Sequence, residues 1–213
     1  MAHLSRRELA ERLSVNNNLL SFLTQHGVIV PSTPEESNGS RINRKLVYSP
    51  SDVIRAERAI ANLKWIAVVS RDSWSRLTND GLSYTLLSPR SARVAAVLRS
   101  GHRIAFYVTG VSAFCGIADV VGKSIARTTV WPQGAYPYRV PLAPQIGLPA
   151  EKGVKVKPLL DKLKFVAKKE SWEQYFRTTI RITTDADFAV IERALAKEAT
   201  RYRSERPSAT RTG

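Results

Sequence analysis

Cysteine, methionine and histidine are scarce in this chain: one Cys, one Met and three His among 213 residues. A lone Cys115 excludes an internal disulfide and fits a reducing compartment. Histidine and cysteine are too few and too scattered to hold a zinc ion. His3, His26 and His102 stand at no spacing from a Ser, Cys or carboxylate that would make a nucleophilic triad. Neither a P-loop nor a dinucleotide-binding glycine fingerprint is present. No catalytic residue, metal or cofactor is therefore expected, and the chain reads as a binding protein, not an enzyme. Apolar runs stay far below the roughly 18 residues that read as a membrane span, so no membrane partner is expected, nor a cleavable leader.

Acidic residues are short as well, 18 against 33 Lys and Arg, for a formal charge of +15 and a pI near 10.4. With 43% of its residues hydrophobic the chain is nonetheless a folding sequence, long enough for one or two domains with cores of their own. A positive surplus of this size attracts polyanions, nucleic acid first among them. The expected location is the cytoplasm, in association with the nucleoid. The charge is uneven: residues 1–63 hold 8 basic and 6 acidic side chains, 64–196 hold 20 and 10, and 197–213 hold 5 and 2. If a phosphate backbone is neutralised, the middle segment does most of it.

The first segment is legible from its helix punctuation. Ser5 with Glu8 three positions on makes a capping box, and Leu4 with Leu9 a hydrophobic staple, so a helix starts there. Ser14 is read as the cap of a second helix that buries Leu19, Leu20 and Leu23 and stops at Gly27. After Val28-Ile29-Val30, the breaker-rich stretch PSTPEESNGSRINRK returns through Leu46-Val47-Tyr48 in the manner of a wing. Ser49-Pro50 with Asp52 then starts a third helix, carrying Val53, Ile54 and Ile60 to about Leu63. The series LSRRELAERLSV, HGVIVP and KLVYSPSDVIRAERAI resembles a MerR-type winged helix-turn-helix domain over about residues 3–63. That resemblance implies that the second helix enters a DNA major groove, with Asn16, Asn17 and Asn18 as base-contact candidates and Arg41, Arg44 and Lys45 on the wing. The plainer reading is that the three Asn are caps and turn formers and that this weakly charged module docks protein.

From Lys64 the pattern turns strand-rich. WIAVVS (65–70) reads as a buried strand, Ser88-Pro89 as the start of a helix through Val94, Val97 and Leu98, and 104–121 as two buried strands joined by a turn near Gly110. Gly116 inside the second of these implies a bulge or a close approach by another group. Trp131 is read in a Pro/Gly loop, followed by the strand AYPYRVPLAP. Short helical pieces at 158–163 and 171–176, a strand at 177–183 and a last helix begun by Thr184 and Asp187 complete the pattern.

This second module resembles an EVE domain, of the PUA-like superfamily and related to the YTH readers, over about residues 64–196. The resemblance rests on WIAVVS, the Gly101 turn before AFYVTG, AFCGIADVV, YPYRV and LKFVAKKESWEQYFRTTIRITTDADFAVI. His102 departs from it, standing where the family usually has an Asp turn residue. The fold class expected is α+β: an N-terminal winged helix-turn-helix (1–63), then a PUA-like mixed β-barrel with flanking helices (64–196), then a basic, disordered tail (197–213). The resemblance implies recognition of a modified or flipped base in an aromatic cage. Trp131 matches one wall and Tyr84 lies nearest to the other, with Ser70 and Asn79 able to hydrogen-bond the base edge and Tyr107 and Thr109 as further pocket residues. A base stacked on such walls gains about 1 to 3 kcal/mol. Against this, Trp131 also reads as a plug over the core, and Tyr107 and Phe114 as ordinary core. The expected partner is double-stranded DNA carrying a modified base, with a part in defence against foreign DNA. The alternatives are a transcription regulator with a small-molecule pocket and a reader of modified RNA.

Overall fold

A computed structural model describes residues 4–13, 15, 17–25, 29, 31, 47–131 and 134–205. Its contacts divide the chain into two units, Met1–Asn62 and Leu63–Gly213. Among the described residues no helix is long and apolar enough to cross a membrane.

The first unit follows its caps. Strand β1 (Leu4–Ser5) runs into helix α1 (Arg6–Arg12), with both hydrogen bonds of the Ser5–Glu8 capping box in place. Helix α2 (Asn17–Gln25) buries Leu19, Leu20 and Leu23 as its periodicity predicts. The Arg6 guanidinium ties α1 to α2, donating to the Asn17 carbonyl at 2.9 Å and to the Ser21 hydroxyl. Strand β2 (Val47–Tyr48) pairs antiparallel with β1, and helix α3 (Pro50–Ala61) opens on a second capping box, Ser49 with Asp52. Val53 and Ile60 face the core, whereas Ile54, expected there too, is half exposed. It is one residue round the helix from Val53, about 100°, and leaves the buried stripe. Ser14, Gly27 and the stretch expected to form the wing lie outside the described residues.

The second unit is a mixed α+β domain built on one curled sheet. Its elements are β3 (Lys64–Val69), α4 (Arg71–Asn79), β4 (Tyr84–Leu87), α5 (Ala92–Val97), β5 (Arg103–Val108), β6 (Ala113–Val120), β7 (Ile125–Trp131), β8 (Gly134–Gly147), β9 (Val154–Lys155), β10 (Ile180–Thr183) and α6 (Asp185–Glu205). The strand order is β10-β3-β5-β6-β8-β4, with β7 also on β8 and β9 on β6. β3 and β5 are parallel and the remaining pairs antiparallel. Bulges in the β5–β6, β6–β8 and β7–β8 pairings bend it. Among the described residues β10 and β4 end the order and do not pair with each other, so the sheet is a curled half-barrel, in keeping with the mixed α+β arrangement expected.

One face carries the main core. Ala105, Tyr107, Phe114 and Ile66 pack there with Phe176, Phe188, Ile191 and Leu195. Tyr107 stacks on Phe176 with ring centroids 4.0 Å apart, and such pairs add about 0.5 to 1.5 kcal/mol beyond burial. The other side of β5 and β6 meets α4, where Trp74 packs on Phe106 and over the bare backbone of Gly116. The close approach predicted at Gly116 is therefore made by the protein's own tryptophan. His102 is fully buried and accepts the Trp65 indole N–H on Nδ1 at 3.2 Å. Two elements differ from the sequence reading. Trp131 ends strand β7, paired with Gly134, and is not in an irregular loop. Residues 197–205, expected in a disordered tail, continue helix α6, with Ala199 buried.

Candidate functional site

Ser70 closes β3 and caps α4, so the chain turns sharply there and leaves a hollow between the strand end and the first turn of the helix. Strand β4 supplies Thr85, Leu86 and Leu87 to its wall, and the β7–β8 hairpin supplies Trp131 and Tyr136. Ala67, Val68, Val69, Ser73, Leu77 and Thr179 complete a cavity of about 150 Å³. A cavity of that order, about 150 Å³, has held one benzene ring in another protein, whereas drug-sized ligands take roughly 300 to 1,000 Å³. Trp131 and Tyr136 meet edge to face, centroids 5.7 Å apart. No residue of the lining is charged or carries an amide; its side-chain polar groups are hydroxyls and the Trp131 indole N–H.

Charge lies outside the lining. The Arg76 guanidinium sits 5.9 Å from the Trp131 ring centroid. Between residues 81 and 150 the chain has seven Lys and Arg and a single acid, Asp119. That acid is taken by Arg103, at 2.9 Å. Arg90, Arg93, Arg99, Lys123, Arg127 and Arg139 make no ion pair among the described residues. These cations are therefore open to an external polyanion.

The structure brings together two of the six expected pocket residues, Ser70 and Trp131. Tyr84 is buried and turned away: its hydroxyl donates to Asp80 and its ring lies under Arg139, whose guanidinium carbon is 3.7 Å from the centroid. Burial first, then the bond to Asp80, raises its pKa. Tyr107 belongs to the core, 3% exposed and stacked on Phe176, with its pKa raised by burial. Thr109 is exposed past the end of β5 and donates to the Val69 carbonyl at 3.3 Å. Asn79 lines a separate open cleft of about 460 Å³ with Arg71, Thr78, Glu151 and Tyr202.

The sequence reading missed Ser73, Thr85 and Tyr136. Tyr136 was findable, since Trp131 and Tyr136 flank Pro132-Gln133-Gly134, a hairpin connection between strand-like runs. Of the DNA-contact candidates, Asn17 is exposed at the start of α2, where its carbonyl accepts from Arg6. Asn18 lies in α2, but its side chain, like Asn16, Arg41, Arg44 and Lys45, is outside the described residues. Among the described residues no group of three His, Cys, Asp or Glu could hold a metal ion.

No family model matches the chain, and no curated protein matches it. Solved structures are similar in part. Rpa0253 from Rhodopseudomonas palustris is 14% identical, with 63% of this chain covering 94% of that one at a TM-score of 0.47. The Mmi1 YTH domain, solved in complex with RNA, is 12% identical over 79% of this chain and 98% of that one, at 0.46. The YTH domain of Zygosaccharomyces rouxii MRB1, solved with N6-methyladenosine RNA, is 12% identical over 78% and 93%, at 0.42. With identities in the teens and TM-scores under one half, what this chain binds has to be argued from its own geometry.

Proposed function

We propose that this protein binds nucleic acid and holds one base, turned out of its stack, in the cavity between β3, α4, β4 and the β7–β8 hairpin. The observation that carries the reading is a ring-sized, uncharged cavity with two aromatic side chains, Trp131 and Tyr136, in its wall. Arg76, Arg127 and Arg139, on α4, β7 and β8, make no ion pair among the described residues. A flipped base stacks on an aromatic face whatever its identity, and a few polar groups then select its edge. Ala67, Leu77, Leu86 and Leu87 favour a base with an apolar substituent over a charged one. The small volume argues against the alternative of a regulator sensing a drug-sized effector.

Duplex DNA as the polymer, with the base modified, is our reading of the two units together. It is supported by the short α1–turn–α2 layout and by its resemblance to a winged helix-turn-helix. A first unit on the duplex raises the effective concentration of the second at the same site. The test is a titration of the full chain against matched duplex DNA, single-stranded DNA and RNA, each with and without one modified base. Trp131→Ala should lose stacking of about 1 to 3 kcal/mol and with it the preference for the modified probe. General affinity, set by phosphates and falling with salt, should persist. A variant that keeps the preference refutes the cavity assignment, and a parent that prefers RNA refutes the choice of polymer.

A further inference from the structure

Two buried hydroxyls in the cavity wall are left over once the protein's own hydrogen bonds are assigned. Ser70 is fully used: its Oγ accepts the Ser73 N–H at 3.1 Å and donates its own proton to Ser73 Oγ at 2.9 Å. Ser73 Oγ therefore turns its own proton elsewhere, and no acceptor for it exists among the described residues. Thr85, on β4, makes no side-chain hydrogen bond at all among those residues. Ser73 is 8% exposed and Thr85 1%, and both line the cavity. Among the described residues neither has a partner for its proton, so the space they border is where one must come from, and a buried polar group without a partner is costly. Thr183 shows the contrast, since its Oγ1 is also unpartnered but enclosed by protein, where nothing can reach it. Ser73 and Thr85 border a space that a ligand can enter.

We infer that Ser73 and Thr85, and not Ser70 and Asn79, read the edge of the base held in the cavity. Ser73 has its proton free to donate, because the bond from Ser70 occupies one of its lone pairs and not its O–H. It calls for an acceptor on the ligand, a carbonyl oxygen or an unprotonated ring nitrogen. The position favours the same polarity: Ser73 is in the first turn of the nine-residue helix α4, where the helix dipole is positive. Thr85, with no partner to fix its proton, rotates to donate or accept and completes a second bond. The selected base is thus neutral and presents an acceptor toward α4, while a base presenting only donors there leaves the Ser73 proton unmet. The inference rests on the base-holding reading above.

The test uses the full chain with Ser73→Ala and Thr85→Val, the latter nearly isosteric. Each is titrated by fluorescence anisotropy against short DNA duplexes identical except for one central base: adenine, N6-methyladenine, cytosine or 5-methylcytosine. Each variant should lose about tenfold in affinity for the duplex the parent prefers, the worth of one buried hydrogen bond, and bind the others as before. The second readout is melting of the free protein. Thr85→Val removes a hydroxyl that has no partner, so it should leave the melting temperature unchanged or raise it while weakening binding. If Trp131→Ala abolishes the preference but both hydroxyl variants keep it, this inference is overturned and the base-holding reading stands. A Thr85→Val variant that melts lower also overturns it, because the hydroxyl is then structural. A parent that binds all four duplexes alike overturns the base-holding reading, and this assignment with it.

Discussion

Gly116→Ala should unsettle the second unit from its centre and disturb the cavity without touching it. A Cβ on residue 116 would meet Trp74 Cη2 at 2.5 Å and the Ile146 carbonyl oxygen at 2.7 Å. Ordinary carbon contacts lie at about 3.5 to 4.0 Å, so both contacts are too short and the ring, the strand or residue 116 itself must give by about an ångström. Neither gives easily. Trp74 is buried, its indole N–H donates to the Leu148 carbonyl at 3.0 Å, and its ring packs on Phe106 at 5.4 Å. Ile146 is held in β8 by its pairing with Ile117. Overpacking of this kind costs about 1 to 3 kcal/mol, and the rigid neighbours place this site at the upper end. For a domain of this size each kcal/mol lowers Tm by about 2 to 4 °C. Thermal and urea unfolding of the parent and the variant measure the loss. A double-mutant cycle identifies the cause: Trp74→Phe removes the clashing ring edge, so it should cost less in the Gly116→Ala background than in the parent. Because Trp74 shares α4 with Ser73 and Leu77, the single variant should also bind more weakly than its stability loss explains. Unchanged unfolding, or strictly additive costs in the cycle, would refute the close-packing argument.

Cys115 is buried against Gly153, and burial pushes its thiol pKa up to about 12, so almost no thiolate exists at neutral or mildly alkaline pH. Alkylation of the folded protein at pH 8 should therefore run only as fast as the domain opens, rising with urea in step with unfolding; labelling at a free-thiol rate in native buffer would contradict the packing. Trp65→Phe leaves His102 Nδ1 without the indole donor in a fully buried site. It should cost about 1 to 3 kcal/mol, read as a lower urea midpoint at constant slope, and a neutral result would show that Nδ1 has another donor.

Local chemistry was legible in the sequence wherever it is self-contained. Both capping boxes of the first unit, at Ser5 and Ser49, and the Thr184–Asp187 bonds that start α6 need only residues three apart. The buried stripe of α2 follows from periodicity, and the strands β3, β5 and β6 from short runs of apolar, β-branched and aromatic residues. What failed depends on partners distant in sequence. Tyr84 and Asn79 were placed by proximity to other pocket residues along the chain, but Tyr84 bonds to Asp80 and stacks under Arg139, which point it away from the hollow. Helix α4 has no counterpart in the sequence reading, because its buried side, Ser73, Trp74 and Leu77, is narrow and interrupted by Arg and Ser. Missing α4 hid Ser73, and treating Trp131 as a loop residue hid Tyr136. The register that joins them spans the whole β7–β8 hairpin.

Polarity in the second unit is sorted by depth, and the sorting separates two tasks. The cavity lining carries hydroxyls and no charge, while unpaired cations lie on the elements outside it. A charge placed inside would have been desolvated at a cost that only an opposite charge on the ligand could offset, which would tie recognition to ionised ligands. Hydroxyls impose less of that cost and act over hydrogen-bond distances alone, so they can tell one neutral ring edge from another. The outer cations act over about a Debye length and are indifferent to the base. If the cavity holds a base as proposed, substitutions at Arg76, Arg127 or Arg139 should change the salt-dependent part of binding, and substitutions at Ser73, Thr85 and Trp131 the part that salt does not reach. A composition of +15 could point only to the first of these. The second is written in a few uncharged side chains from α4, β4 and the β7–β8 hairpin, which only the folded register brings within reach of one ring.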